Sequence, residues 1–140
     1  MADKTFVKYY CFSKDLAEKK HNLSSDSIYA ALTNTAPNVS THTSLASITE
    51  LSTSGGYTAG GQACAVTEDH TTGVYKITAD ADVEWTGSAA GFTARYLVLY
   101  NYTSAGDELI GYYDYGSSQA IQSGEVLKFD CSAKIIAQIT

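Results

Sequence analysis

Positive charge is scarce in this chain of 140 residues: nine Lys and Arg stand against fifteen Asp and Glu, a formal net charge of −6 with a pI of about 4.8. A surface for phosphate backbones needs the opposite balance, so direct nucleic-acid binding is not expected. Long apolar runs are also missing. No stretch approaches the ~18 residues of a membrane span, and no membrane contact is expected. The segment from Met1 to Lys8 lacks the apolar core of about 7–15 residues that a secretory signal needs, so synthesis in the cytoplasm is expected. Three cysteines, Cys11, Cys64 and Cys131, are widely spaced and form no Cys-x-x-Cys pair, which speaks against zinc. They read as small buried or half-buried thiols of a reducing compartment. The alternative is one thiol that cross-links a neighbouring subunit in an oxidising medium, with Cys11, near a terminus, the candidate. The Asn-x-Ser/Thr matches at Asn22, Asn38 and Asn101 read as chance without a secretory route.

Catalytic signatures are equally thin. Gly-x-Ser-x-Gly is absent, and His21, His42 and His70 fall in expected loops or at element ends, so no nucleophile, base and orienting group are brought together by spacing. Glu68-Asp69-His70 reads as a solvated turn rather than a metal site, since no second cluster completes it. The stretch Gly55 to Gly61 lacks the Lys-Ser/Thr end of a phosphate loop and reads as a mobile turn. Asp80, Asp82 and Glu84 are expected on one face of a strand, about 7 Å apart, as a solvated stripe, or else as a calcium or basic-partner patch. The expectation is a protein without enzymatic activity, metal or cofactor.

A hydrophobic fraction of 44% against 17% charged residues places the chain among folded proteins, and its length suits one domain over residues 1–140. Residues 1–25 read as an N-terminal segment with a short helix, because Tyr9, Phe12 and Leu16 recur at helical spacing within 9–20. Leu45, Ile48 and Leu51 suggest one further helical turn, after a loop at 34–43 that holds the lone Pro37. The body, 26–140, reads as short strands: 26–33, 62–68, 73–79, 81–86, 92–102, 108–115, 125–131 and 134–139, separated by turn residues. Leu127, Phe129 and Cys131 alternate with Lys128 and Asp130, giving one wet face. Tyr96 to Tyr100 is apolar on both faces and should be the most central strand. The fold class is therefore mainly β, a single-domain β-sandwich or barrel with one or two short helices in the N-terminal third.

Tyrosine is the residue in surplus, eleven against four Phe and one Trp. Part of that number suits strands in any β protein, and the rest suits an interface, where tyrosine offers rigid contact area with a polar tip. Tyr9, Tyr10, Tyr112 and Tyr113 are the candidate anchors.

Six segments carry a family resemblance: Asp15-Leu16-Ala17, His21-Asn22-Leu23, Ala30 to Pro37, Gly56 to Gly61, Arg95 to Asn101, and Leu109 to Gly116. In order and spacing they resemble small virion structural proteins of tailed bacteriophages. The resemblance implies a β-rich accessory made in the host cytoplasm and assembled on the particle as a head decoration, or cement, protein. It implies binding to the outer surface of the major capsid protein shell, which it stabilises, and a homotrimer. The acidic balance agrees with a place away from packaged DNA. A tail or neck component and a glycan-binding module are the alternatives.

Overall fold

The computed structural model describes residues 6–131 and 135–139. The chain runs β1 (Phe6–Lys8), α1 (Cys11–Ala17), β2 (Ile28–Thr33), a 3-10 turn (Leu45–Ser47), β3 (Gln62–Ala63), β4 (Val66–Thr71), β5 (Val74–Ala79), β6 (Val83–Thr86), β7 (Phe92–Asn101), β8 (Leu109–Ile121), β9 (Val126–Phe129) and β10 (Ile135–Ile139). These strands form three antiparallel sheets, ordered β1-β8-β7-β2-β3, β10-β5-β4 and β6-β9. No sheet closes on itself among the described residues, so of the two expected architectures the barrel is excluded.

The main core fills the space between the five-stranded sheet and the two smaller ones. Ala30, Leu32, Leu97, Leu99, Ile110 and Tyr113 from the large sheet meet Ile77, Ala79, Val83, Trp85, Leu127 and Phe129 from the others. That arrangement is a layered β-sandwich. A second cluster, Tyr9, Ala31, Ile48, Val98, Tyr100 and Leu109, covers the opposite face of the large sheet. Strands β2 and β7 are thus buried on both sides, and β7 lies in the middle of its sheet, as its apolar run predicts. Register shifts in β7 against β8, between Ala94 and Tyr96, let Ala94 share the inner face with Leu97 and Leu99 despite their odd spacing.

Several boundaries differ from the sequence reading for local reasons. Helix α1 is shorter than 9–20: Lys19 takes φ +67°, and the Lys19 and Lys20 amides donate to the Leu16 and Asp15 carbonyls, closing a Schellman cap. Strand β1 has no counterpart in the expectation; three residues are too few to show a period. The segment 62–68 divides at Cys64-Ala65, where the chain leaves the large sheet for the three-stranded one. Asp69-His70-Thr71, expected as a turn, continues β4, and Thr72-Gly73 makes the hairpin with φ of +49° and +81°. Strand β8 runs through Gly116-Ser117-Ser118, another expected turn. β6 starts only at Val83 and β9 ends at Phe129, while β10 is described from Ile135, position 134 lying outside the described residues.

Candidate functional site: the tyrosine face of the large sheet

The two-residue period of β2 and β7 sends Tyr29, Tyr96, Tyr100 and, just past the strand, Tyr102 to the outer face; Tyr112 of β8 joins them. Tyr29 and Tyr100 are register partners with ring centroids 6.2 Å apart. Tyr29 and Tyr102 stack at 4.1 Å and 14°. The Tyr100 hydroxyl donates to the Gly60 carbonyl at 2.6 Å. Further along, the ring of Tyr112 lies 5.9 Å from Tyr9 and edge-on to Tyr96 at 6.1 Å. Arg95 lies 5.1 Å over Tyr96 while its guanidinium forks onto Asp114 at 2.9 and 3.2 Å. The loop from 34 to 48 lies across the middle of this face, with Val39, Leu45 and Ile48 turned inward.

Two of the four expected anchors are corrected. Tyr9 is 0% and Tyr113 1% exposed, so both serve the core and neither presents a contact surface. Burial pushes both hydroxyls up in pKa. Tyr112 is half-buried, and Tyr10, 67% exposed, stands fully outside, its amide held by the Val39 carbonyl at 3.0 Å. Sequence reasoning missed the stacked pair as a unit. The signal was present: Tyr29 and Tyr102 are brought together by the β2–β7 register and by the Tyr102 amide donating to the Ser27 carbonyl at 2.9 Å. Tyr102 is 55% exposed.

Cys11 opens α1 half-buried, its thiol turned toward the Thr43 and Leu109 carbonyls at 3.7 Å. Desolvation and the neighbouring Asp15 push it up to about 11, the wrong direction for a reactive thiolate. It is not the outward thiol that a bridge between subunits calls for.

The chemistry-bearing residues stay apart. His21 is buried with Nδ1 at 3.0 Å from the Asn101 amide, His42 accepts from the Asn38 amide at 3.1 Å, and His70 is exposed on β4. Glu68 accepts from Tyr75 and Asp69 from Thr71, and among the described residues no group of three His, Cys, Asp or Glu is placed to hold a metal. The acidic stripe is also corrected: Asp80 and Asp82 precede β6, Asp80 accepts from Thr67 at 2.6 Å, and Asp82 pairs with Lys128 at 3.4 Å. The Gly55 to Gly61 loop is packed: Tyr57 is buried against Trp85 and Phe92, and a Cβ on Gly61 would fall 1.8 Å from the Ala30 carbonyl. Asn101 is buried and so closed to glycosylation. No helix among the described residues is long and apolar enough to cross a membrane.

Comparison with family models, curated proteins and solved structures finds no match for this chain.

Proposed function

We propose that this protein is a non-enzymatic virion structural protein of a tailed bacteriophage, a decoration protein that binds the outside of the major capsid protein shell and stabilises it. The resemblance of the six segments supplies the class. The observation that supports a contact role is the exposed aromatic set on a rigid sheet: Tyr102 stacked on Tyr29, with Tyr10 projecting from the N-terminal side. Rings already fixed in place lose little entropy on docking, and a few such anchors can dominate the affinity of a standard interface. By the same resemblance the bound form is a homotrimer, in which weak contacts act together.

The test uses shells prepared without this protein, to which wild type or the double variant Tyr10→Ala, Tyr102→Ala is added before heating. The expected result is a higher opening temperature with wild type than with no addition, and weakened binding by the variant, each ring contributing on the order of 2 kcal/mol. Equal opening temperatures with and without the protein, attachment to tails instead of heads, or saturable glycan binding by the isolated chain would overturn the reading.

A further inference from the structure

His21 is 5% exposed, and its two ring nitrogens are placed very differently. Nδ1 lies 3.0 Å from Asn101 Nδ2. The other bonds of Asn101 fix which way its amide faces, since Oδ1 accepts the Thr103 and Ser104 amides and Nδ2 donates to the Asp26 carboxylate. Nδ2 is therefore the donor to His21, Nδ1 keeps its lone pair, and the proton of the neutral ring sits on Nε2. Desolvation lowers the His21 pKa, in keeping with a neutral ring. Nε2 itself is buried with no hydrogen-bond partner among the described residues. A buried N–H left in that state is destabilising, and an acceptor brought to it recovers the loss.

His21 lines a surface pocket of about 510 Å³. One wall belongs to the three-stranded sheet: Tyr75 of β5 and Ile139 of β10 are register partners, and the Tyr75 hydroxyl donates to the Glu68 carboxylate of β4 at 2.9 Å. The other wall is the connection after α1, with Lys19, Asn22, Leu23 and Ser24. That connection is held in place from within the chain, because Asn22 and Asp26 close a turn on each other and Asn101 holds His21. Lys19 is exposed and forms no ion pair among the described residues. Glu68 is exposed too, and a carboxylate can accept several bonds beyond the one from Tyr75. An N–H donor, an ammonium and a carboxylate thus border one space, beside buried Leu23 and an Ile139 that is 44% exposed.

A simple anion in this pocket would meet Glu68, and a simple cation would meet Lys19 and leave the Nε2 proton without an acceptor. A purely apolar molecule would answer none of the three polar groups. A zwitterion answers all of them at no net charge. We propose that the pocket binds a free α-amino acid with an apolar side chain: its carboxylate accepts from His21 Nε2–H and pairs with Lys19, its ammonium pairs with Glu68, and its side chain lies against Leu23, Tyr75 and Ile139. The carboxylate reaches buried Nε2 as the exposed rim side chains of Asn22 and Ser24 turn aside. The site belongs to the isolated chain and does not depend on attachment to a shell.

The experiment titrates the isotope-labelled protein with L-leucine and follows backbone amides and the His21 ring by NMR. The ligand-free ring should show the Nε2–H tautomer. Saturable shifts at Leu23, Glu68 and Tyr75, a dissociation constant at or below about 1 mM, and a downfield move of the His21 Nε2 proton are the expected result. Isocaproate, which lacks the ammonium, and leucinamide, which lacks the carboxylate, should each bind about fivefold or more weakly than leucine. Glu68→Gln should weaken leucine about two- to fivefold without weakening isocaproate, and Lys19→Gln should weaken leucine to the same degree without weakening leucinamide. Both substitutions fall on exposed side chains and leave the fold in place. An Nδ1–H tautomer in the ligand-free protein, no saturable shift up to about 10 mM leucine, saturation that leaves the His21 Nε2 proton unmoved, or analogues that bind as tightly as leucine would each overturn the proposal.

Discussion

Asn101 offers the sharpest test of how the N-terminal segment is held to the β body. It ends β7 with 0% exposure. Its Nδ2 donates to the Asp26 carboxylate at 2.6 Å and to His21 Nδ1 at 3.0 Å, while its Oδ1 accepts the Thr103 and Ser104 amides at 3.0 and 3.1 Å. One side chain thereby joins the segment after α1, the entry to β2 and the turn before β8. Asn101→Ala removes all of these at once. Losing the bond to a charged acceptor costs about 1.5–3 kcal/mol and the bond to buried His21 about 0.5–1.5 kcal/mol, whereas the two amides lie near enough to solvent to recruit water. The expected loss is about 2–4.5 kcal/mol, a large part of the stability of a domain this size. Equilibrium unfolding in urea, with unchanged m value, measures it. Tyr10→Ala, on an exposed ring, should stay within about 0.5 kcal/mol and serves as the control. A loss below about 1 kcal/mol for Asn101→Ala would refute the reasoning, because it would mean that the network does not hold the segment.

Two further predictions follow from buried and close-packed groups. His21 has its pKa lowered, chiefly by desolvation, against the opposing pull of Asp15, Glu108 and Asp26 and with Lys20 acting in the same sense as burial. A lowered folded value means that the unfolded chain binds the proton first, so the His21 contribution is present above about pH 6.5 and is lost as pH falls from there toward the folded value; thermal unfolding against pH should show this slope, reduced in His21→Asn, and an identical slope in the two proteins would refute it. Gly111 pairs with Lys8 across the β1–β8 ladder, and a Cβ there would meet the Phe6 ring at 2.0 Å. Gly111→Ala should therefore displace β1, seen as faster amide exchange at Val7 and Tyr9 and a loss of about 1–3 kcal/mol, while unchanged exchange at both amides would count against that packing.

What the sequence made legible, and what it hid, divides along physical lines. The central place of β7 follows from Tyr96 to Tyr100 because an apolar run with no wet face has nowhere to lie but between layers. Leu127, Phe129 and Cys131 are legible for the converse reason, since Lys128 and Asp130 mark the wet side. Turns were harder to place. Gly116-Ser117-Ser118 has turn composition, yet β7 pairs with residues 119–121 beyond it, and long-range pairing overrides local preference. The candidate anchors were legible only as a composition: eleven tyrosines announce a surplus, but whether a ring is inside or outside depends on strand register and on which loop crosses the sheet. Tyr9 shows this best, adjacent to exposed Tyr10 and wholly buried because the loop from 34 to 48 closes over that face.

The surface that remains after the core has taken its share narrows the kind of docking this protein can support. Arg95 is committed to Asp114, Lys128 to Asp82, and Lys20 to Asp15 with Glu18 nearby, so part of the small complement of positive charge is engaged within the chain. Exposed pairs of this kind contribute about 0–1 kcal/mol and weaken further in salt. Aromatic contact area is not screened in that way. Outward-facing rings that are already stacked suit attachment that persists at moderate ionic strength. A docking mode dependent on Arg95, Lys128 or Lys20 would require its ion pair to be broken first.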